Sequence, residues 1–133
     1  LATALAKSLP DGAEANVVHI VDQRVRNPIP KQISYTLSKQ ALAASILTLA
    51  RALGPAVRVN GVAPGLTIVN PEHSAANVAA TREAMPLQSL PDPSDIAQAV
   101  LYLANARAVT GQLLFVDCGA HLKSFDTDFA NLE

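Results

Sequence analysis

The sequence predicts a doubly wound α/β fold, in which helices cover both faces of a parallel sheet. Three observations lead to this fold class. Residues 16–21 (NVVHIV) form a nearly continuous apolar run with β-branched side chains, which is typical of a central parallel strand. Residues 33–53 follow a long helical pattern with a broad face of apolar and small residues, ended by Gly54-Pro55. Helical and strand patterns also alternate along the chain, as they do in doubly wound sheets.

The remaining elements of the amino-terminal part follow from local signals. Residues 1–9 have leucine and alanine at helical spacing and precede a Pro-Asp-Gly turn, which indicates a helix. Residues 23–32 contain two prolines and several charges, and they predict a loop. Residues 57–62 (VRVNGV) alternate in the manner of a second strand.

The carboxyl-terminal part adds one helix and one strand. Asp92 is a capping residue followed by a proline at the first helical position, so we expect a helix there that closes at residues 108–111. Residues 112–116 (QLLFV) then form a short last strand. With 133 residues, the chain is one domain or part of one.

Composition and charge exclude several classes of partner. The net charge is −1 and the basic residues are scattered, so the chain has no electrostatic footprint for nucleic acid or for an anionic membrane. No run of eighteen apolar residues and no signal-peptide pattern is present, and we therefore expect a cytoplasmic protein.

Cys118 and His19 do not indicate a metal site. Because Cys118 is the only cysteine, an intramolecular disulfide and an all-cysteine metal site are excluded, and we expect a small buried residue. His19 lies inside the first strand with no second ligand at metal-binding spacing, so we expect a hydrogen-bonded core histidine.

Asp22, Tyr35 and Lys39 are the candidate catalytic residues. Tyr35 and Lys39 lie four residues apart at the head of the long helix, so they share one face. A tyrosine with its ordinary pKa near 10 is a poor acid at neutral pH, and a neighbouring ammonium lowers that pKa. Asp22 directly follows the first strand, thirteen residues before Tyr35. A tyrosine and lysine at this spacing also occur by chance, and it is the ordered series of motifs around them that favours a site.

A second part of the same edge follows the second strand. Ligands of open α/β sheets bind beyond the carboxyl ends of the strands. Pro64, Gly65, Leu66 and Thr67 lie at such an end, where a glycine allows a ligand to approach the backbone closely. A plain turn at the strand exit is the alternative. Residues 68–91 are long enough for a substrate lid with a short helix, or for a simple connection.

These motifs, taken in order, resemble the carboxyl-terminal half of a short-chain dehydrogenase/reductase. NVVHIVD, YTLSK, RVNGVAPGLT, PLQSLPDPSDIAQAVLYLA and VTGQLLFVDCG occur in the order and spacing of that family, over essentially all residues. The resemblance implies a Rossmann-like fold with Tyr35 as proton donor. Lys39 would hold the ribose of the nicotinamide and lower the pKa of Tyr35, and residues 64–67 would lie beside the nicotinamide.

Asp22 is the most informative departure, because most of the family has a serine there. An ionised carboxylate only accepts hydrogen bonds, so it cannot replace the serine as a donor to a carbonyl oxygen. Asp22 before Y-x-x-x-K resembles the pteridine and dihydromonapterin reductases of the family, which implies NADPH and a pterin-like substrate with a C=N bond. A smaller departure is Asp117-Cys118-Gly119, where the family usually has two glycines after the aspartate.

The resemblance also implies that residues 1–133 are the carboxyl-terminal part of a single domain. The sequence has no G-x-x-x-G-x-G phosphate loop, so we expect the nucleotide-binding half to be absent and this chain alone to be inactive. The small residues of the 33–53 helix favour a homo-oligomer, a dimer or tetramer. Two alternatives stay open: a generic alcohol or ketone oxidoreductase in which Asp22 is structural, and a non-catalytic remnant that acts in subunit association.

Overall fold

A computed structural model describes residues 1–70 and 73–123 of the chain. Three strands form one sheet, and helices flank it, which confirms the predicted α/β class. The strands are β1 (Ala15–Ile20), β2 (Val57–Pro64) and β3 (Leu113–Val116), and the helices are α1 (Ala2–Ser8), α2 (Ile33–Leu53), α3 (Ala75–Ala84) and α4 (Pro93–Asn105). Helix α3 is the short helix that the sequence allows within residues 68–91.

The sheet is parallel throughout, in the order β1-β2-β3. Ala15 pairs with Val57 and Gly61 pairs with Leu113, so β2 is the central strand. Among the described strands, the first apolar run therefore lies at an edge of the sheet, although its sequence is typical of a central strand. Strand β1 has no second neighbouring strand among the described residues, and its Ile20 side chain is exposed.

Helix α2 covers one face of the sheet and α4 covers the other. Val57 and Val59 are fully buried against Ile46 of α2, whereas Val62 is fully buried against Leu103 of α4. This alternation follows from the two-residue period of a strand. Gly61 lets α2 approach, since a Cβ there would lie 2.5 Å from the Cδ1 atom of Ile46. The three layers leave the carboxyl ends of β1 and β2 open between the loops that follow them.

Helix α4 begins as predicted and ends earlier than predicted. Asp92 accepts a hydrogen bond from the Ser94 backbone, and Asp95 completes a capping box. The helix ends at Asn105, before residues 108–111. The guanidinium of Arg58, in β2, donates hydrogen bonds of 2.7–3.2 Å to backbone oxygens at this helix end and just after it, those of Leu103, Ala104, Ala106 and Val109. These carbonyls would otherwise lack a donor within the helix.

Two residues of the turn after β3 have a backbone conformation that favours glycine. Cys118 has φ +51° and Gly119 has φ +87°, both in the left-handed region that favours glycine. Cys118 is half-buried, and this burial raises the pKa of its thiol. Asp117 fastens the turn by accepting from the backbone N–H groups of Gly119 at 3.0 Å and His121 at 2.7 Å.

His19 differs from its prediction. It is half-buried, and its Nε2 atom is buried with no hydrogen-bond partner among the described residues, so it is not a satisfied core histidine. Burial accordingly lowers the pKa of His19.

Within the same described residues, no helix has the length and apolar character that a membrane crossing requires. Phe125, Phe129 and Leu132, apolar positions suggested as anchors of the tail, lie outside the described residues.

Candidate active site

A cavity of about 340 Å³ lies at the carboxyl ends of β1 and β2. All seven residues that the sequence singles out line it, because parallel strands end at the same edge of the sheet. The wall consists of Ile20, Val21, Asp22, Gln23, Arg24, Tyr35, Lys39, Pro64, Gly65, Leu66, Thr67 and Ile68. The roles of these residues remain predictions, but their convergence on one cavity is a structural fact.

Asp22 joins the turn after β1 to the head of α2. It has an extended backbone and caps a short 3-10 turn, Gln23–Val25. Its Oδ1 atom accepts from the Arg24 backbone at 2.8 Å, and its Oδ2 atom accepts from the Tyr35 hydroxyl at 2.7 Å. The Tyr35 side chain is 40% exposed, so a ligand in the cavity can reach the hydroxyl. The Tyr35 hydroxyl is the donor in this hydrogen bond, and the Asp22 carboxylate is the acceptor.

Two cations lie near the Tyr35 ring. The Lys39 ammonium is 5.7 Å from the ring centroid, and the Arg24 guanidinium carbon is 5.6 Å from it. Lys39 also donates to the Ile20 carbonyl at 3.2 Å, which fixes its position over the end of β1. Since an ammonium has three N–H donors, Lys39 retains the capacity to bind a hydroxyl-bearing ligand.

The segment 64–67 is held against the turn after β3. The Gly65 backbone donates to the Val116 carbonyl at 3.1 Å, and the Thr67 hydroxyl donates to the Gly65 carbonyl at 3.1 Å. A Cβ on Gly65 would lie only 2.9 Å from the Asp117 Cα atom. The glycine is therefore required by Asp117 itself, a contact that the sequence does not reveal, rather than by a ligand alone.

Three further residues belong to this region although no sequence motif indicates them: Gln23, Arg24 and Asn27. Gln23 and Arg24 line the cavity because the 3-10 turn follows Asp22 directly. The Asn27 amide donates to the backbone carbonyls of His121 at 2.6 Å and Lys123 at 2.5 Å, and so ties this loop to the turn after β3. Adjacency to Asp22 is the one sequence signal that points to Gln23 and Arg24.

A larger cavity lies elsewhere in the described residues. It has about 540 Å³, lies at the amino ends of the strands, and is lined by residues that include Glu14, Arg58 and Arg107. None of the predicted site residues borders it, and Arg58 is already engaged with the end of α4. No cluster of three or more histidine, cysteine, aspartate or glutamate side chains able to hold a metal occurs in residues 1–70 and 73–123.

Comparison with known families decides the relationship. The family model described as enoyl-(acyl carrier protein) reductase matches residues 1–121, which is most of the chain. The chain belongs to the short-chain dehydrogenase/reductase family. Dihydromonapterin reductase of Klebsiella pneumoniae is 32% identical over 111 residues, covering 84% of this chain and 46% of that protein. A protein of Streptomyces violaceoruber named as ketoacyl reductase 2 of the granaticin polyketide synthase is 40% identical over 116 residues, covering 84% and 45%.

Solved short-chain dehydrogenase/reductase structures have the same fold as this chain. The crystal structure of FolM alternative dihydrofolate reductase 1 from Brucella suis, in complex with NADP, superposes with a TM-score of 0.82 at 38% identity, covering 95% of this chain and 49% of that one. A small-chain dehydrogenase in complex with NADPH gives 0.80 at 27% identity, covering 92% and 57%. The chain thus spans about half the length of the relatives it matches.

Proposed function

We propose that this chain forms the proton-transfer part of an NADPH-dependent reductase that reduces a C=N bond of a pteridine-like substrate. The observation that carries the proposal is the hydrogen bond of 2.7 Å from the Tyr35 hydroxyl to Asp22. It keeps a transferable proton on an exposed oxygen at the mouth of the cavity. The relatives named as dihydromonapterin reductase and alternative dihydrofolate reductase support this substrate class.

The donor set fits the nicotinamide end of a dinucleotide. Lys39 offers N–H donors suited to ribose hydroxyls, and Pro64, Gly65, Leu66 and Thr67 offer backbone groups and a hydroxyl suited to a carboxamide. NADPH, when bound, supplies the hydride. The neighbours solved with NADP and NADPH support this cofactor.

Tyr35 would donate its proton to the nitrogen of the C=N bond, and this would balance the hydride that NADPH would supply to the adjacent carbon. The Lys39 ammonium, near the Tyr35 ring, stabilises the phenolate that remains. Asp22 is an acceptor, so it keeps the proton on Tyr35 until the substrate nitrogen replaces it as partner. It also suits a heterocycle that brings N–H donors, whereas it repels the oxygen of a simple ketone.

A ketoacyl reductase is the second candidate. The 40% identity to the Streptomyces protein favours it, and a carbonyl can also take a proton from Tyr35. In that case Asp22 serves only to cap the 3-10 turn. The two candidates therefore differ in what they require of the Asp22 carboxylate.

Replacing Asp22 by serine distinguishes the two candidates. In the complete gene product, Asp22→Ser should lower kcat/KM for 7,8-dihydropterin by about 10- to 150-fold, the value of one charge-assisted hydrogen bond. Turnover of ethyl acetoacetate should hold or rise, because serine can donate to a carbonyl. NADPH oxidation is the assay, and Asp11→Ser, in an exposed turn, is the matched control. Equal loss of both activities in Asp22→Ser would refute the pteridine proposal. No turnover of either substrate by the wild-type protein would favour a non-catalytic remnant.

Three further proposals concern the location of the protein, the binding of a dinucleotide and the association of subunits. We propose that the protein is cytoplasmic. We also propose that the 133 residues alone bind no dinucleotide tightly, because the chain spans about half the length of its relatives. Micromolar binding of NADPH to the isolated chain in a calorimetric titration would contradict this.

We also propose association of subunits through helix α2 (Ile33–Leu53), whose Leu37 and Leu47 side chains are exposed. A monomeric mass by light scattering would rule it out.

A further inference from the structure

Gln23 is a buried polar residue in the wall of the candidate active site. Its side chain is only 3% exposed, and the residue lines the cavity beside Asp22. Its amide oxygen, Oε1, is buried and has no hydrogen-bond partner among the residues that the structure describes. Buried polar groups are satisfied in the great majority of cases, so an unsatisfied one beside a candidate catalytic residue calls for an explanation.

The backbone of Gln23 is fixed at the wall of the cavity. Gln23 is the first residue of the 3-10 turn, and Asp22 holds that turn through its bond of 2.8 Å to the Arg24 backbone. The amide oxygen is buried without a partner in the described residues, and this costs free energy in the folded protein. A ligand N–H that reaches such a dry acceptor gains more than it would from an acceptor in water.

We propose that Gln23 is a specificity-determining residue that accepts an N–H from a nitrogen heterocycle bound in the cavity. This inference rests on the proposed function and deepens it, because an aminopyrimidinone ring has N–H donors along its edge and a ketone has none. A substrate with such a donor relieves the unsatisfied oxygen, and a substrate without one leaves it unpaired. Asp22 and Gln23 together present acceptors to the substrate, on adjacent residues of one turn.

The test is Gln23→Met, which keeps the side-chain length and removes the amide. Pterin and quinoxaline are titrated into the complete gene product saturated with NADP; both contain the pyrazine ring with its C=N bonds, and quinoxaline has no N–H group. We expect Gln23→Met to weaken pterin binding about three- to tenfold more than quinoxaline binding. Gln40→Met is the matched control, since Gln40 lines a different cavity.

Thermal unfolding supplies a second readout. Because Oε1 has no partner in the described residues, Gln23→Met should have a Tm equal to or above that of the wild-type protein. A lower Tm together with equal loss of both ligands would show that the amide is merely structural and would overturn the inference. Unchanged pterin selectivity would overturn it as well. Gln23→Leu repeats the test if the methionine variant fails to fold.

The outcomes separate this inference from the proposed function. If the wild-type protein neither binds pterin nor reduces dihydropterin, the proposed function and the inference are both refuted. If the wild-type protein does both and Gln23→Met retains the full preference for pterin over quinoxaline, only the role of Gln23 falls.

Discussion

Replacement of Gly65 by alanine tests how the candidate site is supported. The φ angle of Gly65 is not in the left-handed region, so alanine meets no backbone strain there. Its new Cβ would lie 2.9 Å from the Asp117 Cα atom and 3.0 Å from the Asp117 Cβ atom. Ordinary carbon–carbon contacts begin near about 3.5 Å, so one side must move by about 0.6 Å. Overpacking of this kind costs about 1–3 kcal/mol in the free energy of unfolding.

The segment 64–67 should move rather than Asp117. Asp117 is 4% exposed and is fixed by hydrogen bonds from the Gly119 and His121 backbones. Segment 64–67 has the open cavity on its other side, and Gly65 is joined to β3 by its backbone hydrogen bond of 3.1 Å to Val116. Displacement toward the cavity narrows the proposed nicotinamide site. If the whole overpacking free energy of about 1–3 kcal/mol weakens cofactor binding, the KM for NADPH should rise about 5- to 150-fold.

The assay combines urea unfolding with the KM for NADPH, measured on the complete gene product. Gly12→Ala is the control, because Gly12 has φ +76° and no atom within 4 Å of the added Cβ. It should lose about 1–2 kcal/mol of stability from backbone strain without a change in KM. A Gly65→Ala variant with wild-type stability and wild-type KM would refute the reasoning about Asp117.

Two further predictions concern helix α4. Arg58→Met should lower the free energy of unfolding by about 2–4 kcal/mol, because the carbonyls at the helix end lose their charged donor. Arg107 is exposed, so Arg107→Met should change the free energy of unfolding by less than about 0.5 kcal/mol. Urea unfolding of the two variants is the measurement. Asp92→Ala should be less stable than wild type at pH 7. Hydrogen bonds from Ser94 hold the pKa of Asp92 below its ordinary 3.8, so its stabilising contribution is complete above that pH and is lost as the pH falls through the folded value. Thermal unfolding from pH 7 to pH 2 should show the two proteins converging.

Features set by local sequence were predictable. Helix α2 begins and ends at the predicted residues, Ile33 and Leu53, because a proline-containing loop precedes it and Gly54-Pro55 follows it. The capped start of α4 at Asp92 was equally visible. The convergence of the site residues was predictable for a topological reason, since the carboxyl ends of β1 and β2 meet at one edge.

Features set by contacts between distant parts of the chain were not predictable. The need for glycine at position 65 comes from Asp117, and the early end of α4 is stabilised by Arg58 of β2. No local pattern encodes either contact. The edge position of β1 likewise depends on which strands pair, whereas an apolar run reports only that a strand is well buried.

Asp22 connects the two functional proposals, because each of its oxygens has its own donor. Oδ1 holds the backbone of the turn that contains Gln23, and Oδ2 holds the Tyr35 hydroxyl. A serine has a single oxygen, so Asp22→Ser both removes the charge beside Tyr35 and loosens the turn. Gln23→Met leaves both Asp22 bonds in place. Substrate selectivity that is lost in Gln23→Met therefore belongs to the Gln23 amide, whereas a loss confined to Asp22→Ser belongs to the Asp22 carboxylate and the turn that it holds.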